Sequence, residues 1–281
     1  MSFIDLILVI ILAVVEGITE WLPISSTGHI IVVREIITQF TNTTLTNDFF
    51  NMFDVVIQLG AILAIVVTFF KRLIPIEVND KISFTSSLCK EKWNLWIKVI
   101  IACIPAAIIG ILFNDKIEEL FNNPIVIGIS LIFYGILFII IEKINKKREF
   151  KIDSISKMSF KVVIIIGLVQ LLALIPGTSR SGVTILGAML LSCDRTIAAE
   201  FSFFLSIPIM FGASLIKIIN FGVFTSSELI LLLIGSIVSF IISIIAVKGL
   251  MKFIKKHDFS IFGYYRIVFG VIILVLFSYI F

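Results

Sequence analysis

A chain of 281 residues that is 59% hydrophobic and only 15% charged, with a mean hydropathy of +1.16, carries more Ile, Leu, Val and Phe than a soluble core can absorb. That composition specifies a polytopic membrane protein, because lipid accepts apolar surface that water rejects. The net charge of +4 signals no nucleic-acid partner, since the basic residues stand in short loops between apolar runs, where membrane topology accounts for them.

In chain order, the N-terminal apolar stretch lacks a basic n-region and a signal-peptidase site, and is expected to belong to the mature protein. It runs into a polar motif from Glu16 to His29, EGITEWLPISSTGH. Glu16 and Glu20 lie four residues apart, so a helix sets both carboxylates on one face, one turn apart. Such a pair repels unless a cation or proton lies between, which suits Mg²⁺ or Ca²⁺ sharing its oxygen ligands with a phosphate. The plainer alternative is a hydrogen-bonded or salt-bridged helix end. Ser25, Ser26 and Thr27 add hydroxyls, Gly28 lets a ligand approach the backbone, and a helix starting here aims free N–H groups at an anion. The same residues also make an ordinary helix cap. His29, one of two histidines, offers an imidazole able to move protons or carry a phosphoryl group, against the alternative of a satisfied buried ring.

Six apolar runs long enough to cross about 30 Å of hydrocarbon follow, near 51–70, 93–113, 124–141, 200–219, 229–247 and 260–280. The loops sort by charge: 71–92, 142–161 and 248–256 hold five, seven and four Lys or Arg and are expected to be cytoplasmic. Loops 35–50 and 220–228 hold none, and 114–123 has Lys116 among three acids, so these are expected to face outward. Loop 142–161 and the start of the span near 200 are then both inside, so residues 162–191 must enter and return. Residues 1–33 either cross once or re-enter from outside; charge leaves both open and symmetry favours re-entry. The expected architecture is one all-α integral membrane domain with six transmembrane helices plus two re-entrant helical hairpins, arranged as an inverted-topology repeat of about 1–141 and about 160–281.

The second hairpin carries PGTSRSGVT, from Pro176 to Thr184. Pro23, then Ser26 three residues on, then Gly28, parallels Pro176, Ser179 and Gly182. Prolines and small hydroxyl residues interrupt both helices, and broken backbone at membrane depth is tolerated only where it lines protein or a wet cavity. Arg180 inside this segment is costly unless an anion or carboxylate meets it, and its planar fork matches phosphate oxygens. A purely structural salt bridge to Glu16 or Glu20 is the alternative. Thr178, Ser179, Ser181 and Thr184 place donors around it, with Gly182 at the helix start, although each hydroxyl could equally cap or pack a helix. Asp194, Arg195 and Glu200 read as solvated or capping charges. Cys89, Cys103 and Cys193 have no metal-type spacing and are expected to be packing residues.

With these residues in view, EGITEWLPISSTGH and PGTSRSG resemble the two signature motifs of the bacterial undecaprenyl-diphosphate phosphatase family associated with bacitracin resistance. The resemblance covers nearly the whole chain, including the closing segment with Tyr265 and Arg266. It implies a multi-pass enzyme of the bacterial plasma (inner) membrane that removes the terminal phosphate of undecaprenyl diphosphate, yielding the carrier lipid of peptidoglycan synthesis, with a divalent cation as cofactor. Carried over by motif, Glu16, Glu20, Ser26, His29 and Arg180 fall at functional positions, supported by Ser179 and Thr184. The type-2 phosphatidic acid phosphatases have an SGH-like motif but need a second catalytic histidine, and His257 in the basic KKHD loop is badly placed to be one. A lipid-carrier transporter or flippase is the rival reading, since inverted repeats with broken helices are a carrier architecture. Whether serine, histidine or water attacks, how long the prenyl chain is, and the oligomeric state, a homodimer included, stay open. Substrate and membrane lipids are the expected partners.

Overall fold

The computed structural model describes residues 2–280 apart from 42, 76, 79–81, 84–86, 122 and 147. Its first hairpin is α1 (Phe3–Thr19) and α2 (Ser26–Phe40), followed by α3 (Asn47–Val56), α4 (Gln58–Thr68) and the single turn α5 (Phe70–Leu73). Two long helices, α6 (Ser87–Phe121) and α7 (Pro124–Asn145), complete the first half. The second half repeats the order with hairpin α8 (Phe160–Val169) and α9 (Arg180–Leu190), then α10 (Arg195–Phe221), α11 (Ser226–Ile254) and α12 (Ser260–Ile280). A two-residue antiparallel ladder, Glu77–Val78 with Ile82–Ser83, leaves the class all-helical.

Six helical runs are long and apolar enough to cross a bilayer: Asn47–Thr68, Cys89–Phe113, Pro124–Asn145, Arg195–Phe221, Ser226–Ile254 and Ser260–Phe277. All six expected spans are therefore present. Their outer faces suit lipid: on α11, Leu229, Leu233, Ile237, Ile241 and Ile245 form a stripe at every fourth residue, each about half exposed. The first span departs from a simple rod, because α3 and α4 meet in a turn at Ile57 that interrupts the helix at membrane depth.

Both hairpins are closed at their mouths. Ser2 and Asp5 form a capping box at the start of α1, and Asp5 also accepts from the hydroxyls of Thr43 (2.9 Å) and Thr44 (2.7 Å), just past the end of α2. The two ends of the first hairpin thus lie together, the arrangement expected of re-entry rather than of a single crossing. The second is tied likewise: the amides of Lys151 and Ile152 donate to the Ser192 carbonyl and the Asp194 amide donates to that of Ile152. At 17 and 15 residues, α1 and α2 are about 25 Å long, short of a full crossing.

The halves interlock symmetrically. Arm α1 packs on α11 of the other half, arm α8 packs on α6, and the last spans α7 and α12 pack on each other. Lipid drives apolar helices together weakly, so close approach depends on small residues. A methyl on Gly17 would meet the Ser239 carbonyl oxygen at 3.0 Å, and one on Gly167 would meet that of Ala102 at 2.5 Å. Gly17 and Gly167 are the matching points of the two repeats. On the α7–α12 seam, Gly128 and Gly135 face Gly270 and Gly263; methyls on Gly135 and Gly263 would each stand 2.7 Å from the other's carbonyl oxygen.

Candidate active site

The site is built from the two hairpin tips. Helix α2 starts at Ser26 and α9 at Arg180, and the residue before each is a serine with positive φ, Ser25 at 73° and Ser179 at 72°. A non-glycine residue there is strained and is kept only where its surroundings fix it. The shared geometry sets the repeat register: Ser25 matches Ser179, Ser26 matches Arg180 and Gly28 matches Gly182. The expected pairing of Ser26 with Ser179 is one residue out, because each proline lies a different distance from its helix. Counting from Gly17 and Gly167, Glu20 matches Gln170.

Glu20 is the centre. Its Oε2 accepts from the Ser26 hydroxyl at 2.7 Å and its Oε1 from Arg180 Nη2 at 2.9 Å. The other arm of the Arg180 fork, Nη1, donates to the Ser202 carbonyl on α10 at 2.7 Å, and Ser181 donates to the Glu20 carbonyl at 3.3 Å. A hydroxyl, a carboxylate and a guanidinium from opposite halves of the chain thus meet in one buried cluster. The α2 N-terminus has no side-chain cap, which leaves its first amides for an anion, whereas Ser179 caps α9 by accepting from the Gly182 amide at 3.1 Å.

His29 is held beside the cluster. Its Nδ1 lies 2.7 Å from the Ser25 carbonyl, which can only accept, so Nδ1 carries a proton; the neutral ring's Nε2, 2.7 Å from the Tyr265 hydroxyl, accepts from it. The ring stacks on Phe269 at 4.0 Å. Beneath lies Arg266, fully buried, donating to the carbonyls of Pro23 (3.1 Å) in one hairpin and Gly177 (3.0 Å) and Thr178 (2.8 Å) in the other. It ties the two broken segments together and satisfies their free carbonyls.

Glu16 is wholly buried, and neither carboxylate oxygen has a hydrogen-bond partner among the described residues. It lies within the electrostatic reach of Glu20, Asp54 and Arg180, with Gln58 alongside. Asp54 accepts from Arg34 at 3.1 Å through Oδ2, while Oδ1 is buried and unpartnered. These are the oxygens able to hold a cation, although no group of three or more His, Cys, Asp or Glu side chains closes a metal cage among the described residues.

Other candidates serve differently. Thr27 is exposed. Gly28 packs against Ile127, Leu131 and Phe269, and the Thr184 hydroxyl is engaged by the Arg180 carbonyl (2.8 Å) and the Ser202 hydroxyl (2.7 Å), so it braces Arg180 from behind. Asp194 caps α10, Arg195 pairs with the buried Glu142, and Glu200 is itself buried against Arg72, so Glu200 is an internal ion pair rather than a solvated charge. The three cysteines are buried and form no disulfide among the described residues. His257 is exposed and stacks on Phe253 in the turn between α11 and α12. Asp54 and Ser202 went unread in the sequence, although an acid inside an apolar span is itself a signal.

Known proteins resemble this chain over nearly its whole length. The sequence profile described as bacitracin resistance protein BacA matches residues 9–272. A protein named undecaprenyl-diphosphatase from Acetivibrio thermocellus is 54% identical over 274 residues, 97% of this chain and 98% of its own. Undecaprenyl-diphosphatase 1 of Clostridium acetobutylicum is 51% identical, with 99% of each chain covered, and an undecaprenyl-diphosphatase of Enterococcus faecalis is 50% identical over 98% of each.

Proposed function

The chain belongs to the bacitracin resistance protein BacA family, and from that premise we propose that it is an undecaprenyl-diphosphatase of the bacterial plasma membrane. Undecaprenyl diphosphate and water give undecaprenyl phosphate and inorganic phosphate, which returns the lipid carrier to peptidoglycan synthesis and confers bacitracin resistance. The observation that carries the reading is the sharing of one carboxylate, Glu20, between the Ser26 hydroxyl and the Arg180 guanidinium.

Phosphoryl transfer needs positioning and charge neutralisation more than covalent help. Arg180 and the uncapped amides of α2 supply both for the terminal phosphate. Ser26 is the favoured nucleophile, with Glu20 taking its proton as the Ser26 Oγ–P bond forms and the anhydride P–O bond breaks toward the lipid monophosphate. Water then cleaves the Ser26 ester, releases phosphate and restores the hydroxyl. His29, with both ring nitrogens engaged by Ser25 and Tyr265, orients the Ser25–Ser26 turn. Glu16 would hold the divalent cation, Mg²⁺ or Ca²⁺, with the unpartnered Oδ1 of Asp54 and the shared Glu20 carboxylate beside it; a wholly buried carboxylate such as Glu16, close to two other acids, calls for a cation or a proton. Bound there, the ion supplies charge neutralisation on the phosphate oxygens. An apolar groove of about 740 Å³ beside the first hairpin tip, lined by Ile18, Leu22, Ile24, Ile242, Phe253 and Tyr265, suits the prenyl tail, with Tyr265 bridging groove and imidazole.

The test is phosphate release from undecaprenyl diphosphate by purified protein in detergent, with Mg²⁺, Ca²⁺ or chelator, together with acid quenching after brief exposure to terminally labelled substrate. Label on Ser26, absent in Ser26→Ala along with turnover, is the expected result. Ser26→Ala with near-normal turnover removes the serine route, and no release from folded wild type in any metal turns the reading toward the carrier that the inverted repeat also fits.

A further inference from the structure

The basic-loop face of the bundle holds a second polar cavity, away from both hairpin tips. It lies between the end of α5, the first turns of α6 and the 3₁₀ turn Ile155–Lys157, with a volume of about 300 Å³. Lys71, Arg72, Lys92 and Lys98 line it, with Glu91 as the one carboxylate among the described residues and Ser156 among the neutral groups. Arg72 is spoken for by Glu200, but Lys71 and Lys92 form no ion pair among the described residues. Three lysines against one glutamate leave a cationic surplus.

Lys98 is the unusual member. It is only 2% exposed, and its ammonium meets no carboxylate among the described residues, donating instead to the carbonyls of Ile155 at 2.8 Å and Ser156 at 3.0 Å. An ammonium has three N–H donors, so one is left over in a cavity whose other charges are mostly positive. Burying a cation among cations is unfavourable unless an anion joins them. The depth of the cavity is marked by Phe70 and Trp93, aromatic residues more than half exposed beside Lys71 and Lys92, as aromatic side chains are at the headgroup level of a bilayer.

We propose that this cavity is a phosphate-binding site, distinct from the site at the hairpin tips, that seats the phosphate of an anionic phospholipid headgroup from the leaflet on the basic-loop side. Lys98 contacts the phosphate from below and Lys71 and Lys92 close over it from the rim; basic clefts between membrane helices on the positive face have this chemistry. The assignment does not depend on the hydrolase reading, because Lys98 bonds to the Ile155 and Ser156 carbonyls and not to the side chains of Glu20, Ser26, His29 or Arg180.

The experiment compares wild type with the doubly substituted Lys71→Gln, Lys92→Gln, both changes lying on the rim. Each is reconstituted in nanodiscs of phosphatidylcholine with increasing phosphatidylglycerol, and lipid carry-through is read by native mass spectrometry after release. Preferential retention of phosphatidylglycerol by wild type, weakened about 30-fold in the double variant at about fivefold per lysine, is the expected result. Phosphate release at the hairpin site in neutral detergent should be the same in both proteins. A parallel arm adds inorganic phosphate to lipid-free detergent samples and reads the melting temperature. Stabilisation of wild type alone by millimolar phosphate, without phosphatidylglycerol retention, sustains the phosphate site and assigns it a soluble occupant. Equal retention of both lipids by wild type with no response to phosphate, or retention unchanged in the double variant, overturns the proposal.

Discussion

Replacing Arg180 by lysine keeps the charge and removes the fork. In the structure one guanidinium nitrogen reaches Glu20 at 2.9 Å while the other reaches the Ser202 carbonyl at 2.7 Å, with the side chain 11% exposed. An ammonium cannot span both acceptors from one position, so one charge-assisted bond is lost, worth about 1.5–3 kcal/mol. At 1.4 kcal/mol per factor of ten, kcat/KM should fall about 10- to 100-fold. Arg180→Ala loses the charge as well and should fall about 10²- to 10³-fold, the scale of removing one transition-state donor. The assay is steady-state phosphate release from undecaprenyl diphosphate in detergent at saturating Mg²⁺, with thermal melts to establish that each variant is folded. A lysine variant as active as wild type would refute the reasoning, since the fork geometry would then contribute nothing.

Three further predictions follow from the packing and from charge. Tyr265→Phe keeps the ring contacts around His29 but deletes the hydroxyl on Nε2, one hydrogen bond of about 1 kcal/mol, so kcat/KM should drop about fivefold with the melting temperature little changed. Gly135→Ala sets a methyl 2.7 Å from the Gly263 carbonyl oxygen and should cost about 1–3 kcal/mol by denaturant or thermal unfolding in detergent; Gly212→Ala on α10, which meets nothing within 4 Å among the described residues, should be neutral or stabilising. Asp258, in the turn between α11 and α12, is held below the ordinary 3.8: burial pushes it up, but the Ser260 amide and hydroxyl and the Lys146 ammonium outweigh it. A depressed carboxylate contributes stability above its unfolded value and loses it as pH falls, so the advantage of wild type over Asp258→Asn should be full near about pH 5 and shrink below about pH 3.5.

Most of the frame was legible because lipid writes plainly in sequence: a bilayer demands long apolar runs, and all six spans followed from length and hydropathy. Charge parity located the second hairpin, yet the first needed the contacts of Asp5 with Thr43 and Thr44 to show its ends together. The chemistry of Glu20, Ser26 and Arg180 was readable as residue types; their meeting on one carboxylate was not, since no local spacing relates positions 20 and 180. The repeat register slipped by one because Pro23 stands three residues before its helix and Pro176 four; the second tip also carries four more residues between its matching glycine and serine, with the 3₁₀ segment Gln170–Leu174 among them. Asp54 escaped because a lone acid belongs to no motif. The glycine seam between α7 and α12 escaped because only the approach of two backbones gives those four glycines their meaning.

The correspondence of Ser26 with Arg180, and of Glu20 with Gln170, has a bearing on how such a site can arise. Two identical copies related by a twofold axis would present the same group twice, either paired hydroxyls and paired carboxylates or paired guanidinium groups. Neither set joins a nucleophile to its counter-charge. Holding both halves in one polypeptide lifts that equality: one tip presents Glu20 and Ser26 and the other Arg180. The asymmetry that catalysis needs is written into a scaffold whose halves still pack in matching pairs, α1 on α11 and α8 on α6.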